Sequence, residues 1–158
     1  MKLKEIVQFE MIDFDELDIP EFVKETEDNY NLEMEKSNYV LEQNQYDEYA
    51  SRWARVGDWY NLQYARAVYN ETNMENQINE LYDTNKPRAP IECKSDASKR
   101  RWVQQNTSNF YDIANKYDRA KGYLAYFENK LKTVDKNHYL CKGMSSSIDK
   151  SKGTGGFC

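Results

Sequence analysis

Two stretches of the chain carry an unbroken three-and-four alternation of apolar positions. In the first, Tyr46, Tyr49, Trp53, Val56, Tyr60, Gln63 and Ala67 fall at intervals of 3, 4, 3, 4, 3 and 4, and Ala50, Gly57, Tyr64 and Val68 widen the stripe. That spacing puts them on one face of an α-helix. It predicts a helix from about Lys36 to about Asn70, roughly 50 Å long at ~1.5 Å per residue. In the second stretch, Val103, Asn106, Phe110, Ile113, Tyr117, Ala120, Leu124, Phe127, Leu131 and Val134 keep the same alternation over more than four heptads. Pro87 and Pro90 lie upstream of it, and Ser95 or Asp96 suits its N-cap. A break is expected near residues 135–137, and Gly143 supplies a stop. Asn106 is the polar position of this stripe: buried, it would fix register, and near a helix end it would simply be wet.

Two helices of similar length joined by the polar connector 71–94 predict an all-α fold, a long antiparallel helical hairpin. A two-helix hairpin leaves much of both stripes uncovered, so it is expected to assemble as a homo-oligomer. The predicted hairpin domain spans residues 36–143. Residues 1–35 form an acidic amphipathic N-terminal arm in which Ile6, Phe9, Ile12, Phe14, Leu17 and Ile19 stand among acids. Those side chains either dock on a partner or fold back across the protein's own helices. Residues 144–158 form a flexible Ser/Gly-rich tail.

Composition narrows the class. Among 158 residues, 13 Tyr, 6 Phe and 3 Trp exclude a wholly disordered chain, and only 6 Gly and 3 Pro leave little turn material for many short strands. No window approaches ~18 consecutive apolar residues, and MKLKEIVQFEM carries acids where a signal peptide needs an apolar run. The expectation is a soluble protein without a membrane partner, in the cytoplasm, or the host cytoplasm if viral. Cys93, Cys141 and Cys158 are widely spaced with no C-x-x-C pair, so neither a disulfide framework nor a zinc site is expected. The one histidine, His138, has no nucleophile motif beside it, and Lys152-Gly-Thr-Gly-Gly156 lacks the spacing of a phosphate loop. No enzymatic activity, cofactor or metal is expected.

Charge changes the picture most. The net charge of −5 hides a split: residues 1–35 hold 3 basic and 12 acidic residues, whereas residues 86–158 hold 15 basic and 7 acidic. Lys99-Arg100-Arg101-Trp102 opens the second helix, and Lys116 and Arg119 follow along it. Cations on one accessible face neutralise phosphates, and interleaved aromatics such as Trp102, Tyr111 and Tyr123 let bases stack without sequence readout. This predicts single-stranded nucleic-acid binding, DNA or RNA, although such charges also suit a merely solvated helix face.

The segments Tyr64-Ala-Arg-Ala-Val-Tyr-Asn70, Leu124-x-x-Phe127-x-x-x-Leu131-Lys-x-Val134 and Lys136-Asn-His-Tyr-Leu-Cys-Lys142, with the polar connector between the first two, give residues 30–143 a layout that resembles the UvsY-type recombination mediators of tailed phages. The resemblance implies a small, ring-forming single-stranded DNA-binding protein that loads a recombinase onto DNA covered by single-strand-binding protein, with both as partners. It also implies DNA contact at Arg66 and Tyr69, which with Ala65 match the family's pattern at the end of the first helix. Asn70 stands where that pattern has a second Tyr, and no turn glycine follows. The alternative expectation is a helical phage structural or assembly protein that acts by protein–protein interaction, with arm and tail as docking extensions.

Overall fold

A computed structural model describes residues 10–154. Ile6, Phe9 and residues 155–158 of the expected arm and tail lie outside them. The regular elements among the described residues are all helical: α1 (Glu21–Lys36), α2 (Gln43–Asn85), α3 (Asp96–Asn106) and α4 (Phe110–Thr154), with short 3-10 turns at Phe14–Glu16 and Lys86–Arg88.

The helix expected from Lys36 is interrupted at residues 37–42, and a separate helix precedes it. The cause is local. Asn38 takes a left-handed conformation (φ 55°), its N–H donates to Glu35 O at 3.2 Å, and Tyr39 N–H donates to Met34 O at 2.7 Å. These two reversed bonds close a Schellman motif, with asparagine where glycine is commoner. The chain then re-enters helix through Leu41, whose N–H donates to Tyr46 Oη at 3.1 Å, and Glu42, whose N–H donates to Gln45 Oε1 at 2.9 Å.

At its other end α2 runs fifteen residues beyond the expected stop, to Asn85 rather than Asn70. The buried stripe simply continues through Asn70, Met74 and Tyr82. Asn70 conceals this in the sequence because it is polar, yet it is only 5% exposed. Its carboxamide is engaged at both ends: Ile12 N–H donates to Asn70 Oδ1 at 3.2 Å, and Asn70 Nδ2 donates to Ile12 O at 2.7 Å.

The second expected helix is two. Ser95 caps α3 in a reciprocal pair of bonds with Ser98, and the helix stops at Thr107, whose N–H closes on Val103 O. Thr107, Ser108 and Asn109 are turn formers, and α4 begins at Phe110 without loss of stripe register. The break expected near residues 135–137 does not occur, and Gly143 lies within α4. Residues 144–154, expected as a flexible tail, continue that helix. The stripe persists past Val134 through His138, Cys141 and Ser145, whose small or polar character hides it. His138 Nδ1 lies 2.9 Å from Ala50 O, which places the ring proton on that nitrogen, and Ser145 Oγ donates to Asp47 Oδ1.

The chain divides into two compact units. The first joins residues 10–12 to Tyr64–Tyr126, and one cluster of its core is Tyr82, Val103 and Phe110, packed by Ile78, Leu81, Trp102 and Ala114. The second joins Asp13–Gln63 to residues 127–154, and its core is rich in tyrosine. Here the front of the chain folds inward: the Phe14 ring lies 5.0 Å from that of Phe127, and Tyr30 of α1 meets Tyr49 and Trp53 edge-on at 5.2 and 5.3 Å. Tyr60 Oη donates to Glu27 Oε1 at 3.0 Å, and Lys130 Nζ lies 3.3 Å from the same carboxylate. Trp53 Nε1 is buried with no acceptor, and Tyr49 Oη approaches Glu33 without good hydrogen-bond geometry.

Two predictions follow from this packing. A Cβ at Gly122 or at Gly143 would meet nothing within 4 Å. Gly122→Ala and Gly143→Ala should therefore each raise stability by about 0.5–1 kcal/mol through helix propensity, read as a higher urea midpoint at unchanged slope. Burial first, and the Glu33 carboxylate second, push the Tyr49 phenol up to about 12, and burial likewise raises Tyr30. A raised phenol pKa stabilises the fold below the free value of about 10, and that stability is lost as pH rises through the folded value. Ultraviolet difference titration should show these phenols ionising only together with alkaline unfolding; ionisation at the free value in the intact fold would contradict it.

Candidate nucleic-acid interface

The eight residues expected to bind nucleic acid, Arg66, Tyr69, Lys99, Arg100, Arg101, Trp102, Lys116 and Arg119, all belong to the first unit. Two groups emerge within it. A helix ending near Asn70 would have put both groups beside the connector 71–94. With α2 continuing to Asn85, the reversal moves away from Arg66: Tyr82, against which α3 packs, is sixteen residues further on, about 24 Å at 1.5 Å rise per residue.

The first group is a basic cap. Residues 86–101 carry Lys86, Arg88, Lys94, Lys99, Arg100 and Arg101 against only Glu92 and Asp96. Arg88, Lys94 and Arg101 are exposed and Lys99 is half-buried. Tyr82 is what fixes the cap. It is 7% exposed, its ring lies 5.5 Å from that of Phe110, and its Oη accepts from Gln104 Nε2 at 2.8 Å. The Arg100 guanidinium lies 4.9 Å from the Tyr82 ring centre, and Arg100 Nε donates to Asp96 Oδ2 at 2.9 Å. Lys86 Nζ reaches the other Asp96 oxygen at 2.8 Å. Hydrogen bonds from Lys86 and Arg100 hold the Asp96 carboxyl below the usual carboxylate range. Trp102 is half-buried against the core of the unit, so its ring serves packing. Tyr111, at 63% exposure, is the aromatic face open to a base at this end.

The second group lies along α2 and α4. Arg66 is half-buried and Tyr69 is 36% exposed. Two residues beyond Tyr69, the Glu71 carboxylate accepts from Tyr117 Oη at 3.4 Å, and Lys116 and Arg119 flank Tyr117. Desolvation, then Glu75 and Glu71, raise the Tyr117 phenol. Lys116 pairs with Asp112 at 3.2 Å, and Lys121 pairs with Asp118 at 2.8 Å. Asp112 and Asp118 are thus paired with Lys116 and Lys121, so the field along this part of α4 is mixed.

Lys86, Arg88 and Lys94 were not singled out from the sequence. Their signal was present in the charge count, but the connector that carried them was read as merely polar. Among the described residues, no three His, Cys, Asp or Glu side chains gather to hold a metal, and no helix is long and apolar enough to cross a membrane. Comparison with protein-family models, curated proteins and solved structures found no match.

Tyr82→Leu removes the ring under Arg100, the contact with Phe110 and the acceptor for Gln104, and should cost about 2 kcal/mol. Amide exchange should then accelerate across residues 96–106, while amides of the second unit should keep their protection.

Proposed function

We propose that the chain is a non-enzymatic single-stranded nucleic-acid-binding protein, and that it serves as a recombination mediator helping to load a recombinase onto single-stranded DNA. The observation that carries the binding part is the basic cap: six cations within sixteen residues, opposed by two acids and mounted on a packed tyrosine. Phosphate neutralisation needs that density of charge, and Tyr111 adds a surface on which a base can stack. The mediator role, with recombinase and single-strand-binding protein as partners, rests on the resemblance of the segments at 64–70, 124–134 and 136–142. Self-association of helical hairpins is part of the same reading. It is supported by apolar side chains left outside both cores, among them Ile91 at 92% and Tyr139 at 69% exposure.

A second reading, a helical phage structural or assembly protein, is favoured by one feature. Tyr39 and Val40 stand 67% and 66% exposed on a turn where Tyr39 is itself left-handed (φ 65°), beside the acidic α1. A bulky residue in that conformation is costly, and strain of this kind concentrates at functional sites.

The two readings part on a salt titration. A labelled oligodeoxythymidylate should bind steeply more weakly as salt rises, with little sequence preference. Lys99→Ala with Arg101→Ala should lower the slope of log K against log salt by about 1.4, at ~0.7 per phosphate contact on a single strand. Arg66→Ala with Tyr69→Ala tests the second group separately. Loss of binding in that pair alone would move the interface to α2, and no binding by the intact protein even at low salt would favour the structural reading.

A further inference from the structure

Asp96 occupies an unusual position in the cap. It joins two cations that come from different elements, Lys86 from the turn after α2 and Arg100 from α3, at 2.8 and 2.9 Å. The cations are held in place: the Lys86 side chain is only 20% exposed, and the Arg100 side chain, 49% exposed, lies with its guanidinium over the buried ring of Tyr82. The carboxylate is the outermost member, its side chain 64% exposed. Two preorganised donors thus converge on an anion that faces solvent.

A phosphodiester presents the same unit charge on two oxygens of one centre, so it suits the same pair of donors. Resting on the nucleic-acid reading of the cap, we infer that Lys86 and Arg100 form a phosphate-binding clamp, that the Asp96 carboxylate fills it in the free protein, and that a backbone phosphate of a single strand displaces it on binding. Asp96 then acts as a resident competitor. Exchange of one anion for another leaves the clamp's charge unchanged, so in the intact protein these two cations add little to the salt dependence of binding. The neighbouring residues in the sequence add to the exchange: Glu92 is the one further acid in residues 86–101, and Arg88, Lys94, Lys99 and Arg101 supply the field that draws the strand in.

The test compares intact protein, Asp96→Asn, and Asp96→Asn combined with Lys86→Gln, by fluorescence anisotropy of a labelled oligodeoxythymidylate across a salt series. Asp96→Asn should tighten binding roughly three- to fivefold at low salt, the yield of one surface ion pair, and steepen the salt slope by about 0.7. Adding Lys86→Gln should bring the slope back toward that of the intact protein. Asp96 also sits in the first turn of α3, where a negative charge favours the helix; that role changes the melting temperature and leaves the salt slope alone. If the intact protein and Asp96→Asn bind with the same affinity and slope, the clamp is overturned and the nucleic-acid reading stands. If neither binds the oligonucleotide, that reading fails, and thermal melting with tripolyphosphate decides the clamp. Stabilisation that is larger in Asp96→Asn and lost with Lys86→Gln supports it, and no difference among the three proteins overturns it.

Discussion

A 43-residue helix with one apolar stripe cannot stand bare in water, and the other elements of this chain are placed by what they lay against α2. In the second unit α1 lays Tyr30 on Tyr49 and Trp53, and α4 brings Phe127 to Tyr60 and Val134 to Gly57. In the first unit Val103 and Phe110 close over Tyr82, and the backbone of Ile12 closes over Asn70. Gly57 shows how close the approach is: an added Cβ would stand 3.4 Å from Val134 Cγ1, at the edge of ordinary contact.

The stripe is built largely from tyrosine, and that choice brings polar obligations into the core. Each buried phenol needs a partner for its oxygen. Tyr60 gives its proton to Glu27, Tyr46 accepts from the Leu41 backbone, and Tyr82 accepts from Gln104. These bonds do more than satisfy atoms, because each ties one element to another or fixes a helix entry. The Tyr49 hydroxyl and the Trp53 indole are the exceptions, both buried without a hydrogen-bond partner, and each such orphan costs on the order of 1–3 kcal/mol. The second unit therefore has unused donors at its centre.

Much of the helical content was legible in the sequence, because Tyr46 to Ala67 and Val103 to Val134 repeat with helical period: every position of the first stripe is buried, and in the second Val103, Phe110, Ala120, Phe127 and Val134 are buried while Ile113, Tyr117, Leu124 and Leu131 are half-buried. The stops were harder to read. Asn70, His138 and Ser145 occupy stripe positions with polar side chains, and each is committed to a specific partner that periodicity does not show: Ile12, Ala50 and Asp47. A polar residue on a stripe reads as a helix end until its partner is known. The same limit governed the site. Lys99, Arg100 and Arg101 were visible as a charge run, but the joining of Lys86 to Arg100 through Asp96 depends on how α3 folds back on Tyr82, which no local spacing encodes.

The pairing of Asn70 with Ile12 bears on how the protein is made. Asn70-Glu71-Thr72 is an acceptor sequence for N-linked sugar, and the atom that would carry the glycan is the Nδ2 that donates to Ile12 O at 2.7 Å. A chain passed through a glycosylating secretory route meets the transferase before this bond has formed. A sugar attached there could not be accommodated at a side chain only 5% exposed, and the front of the chain would be denied its place on α2. Production in a compartment without oligosaccharyl transfer keeps that amide for the fold.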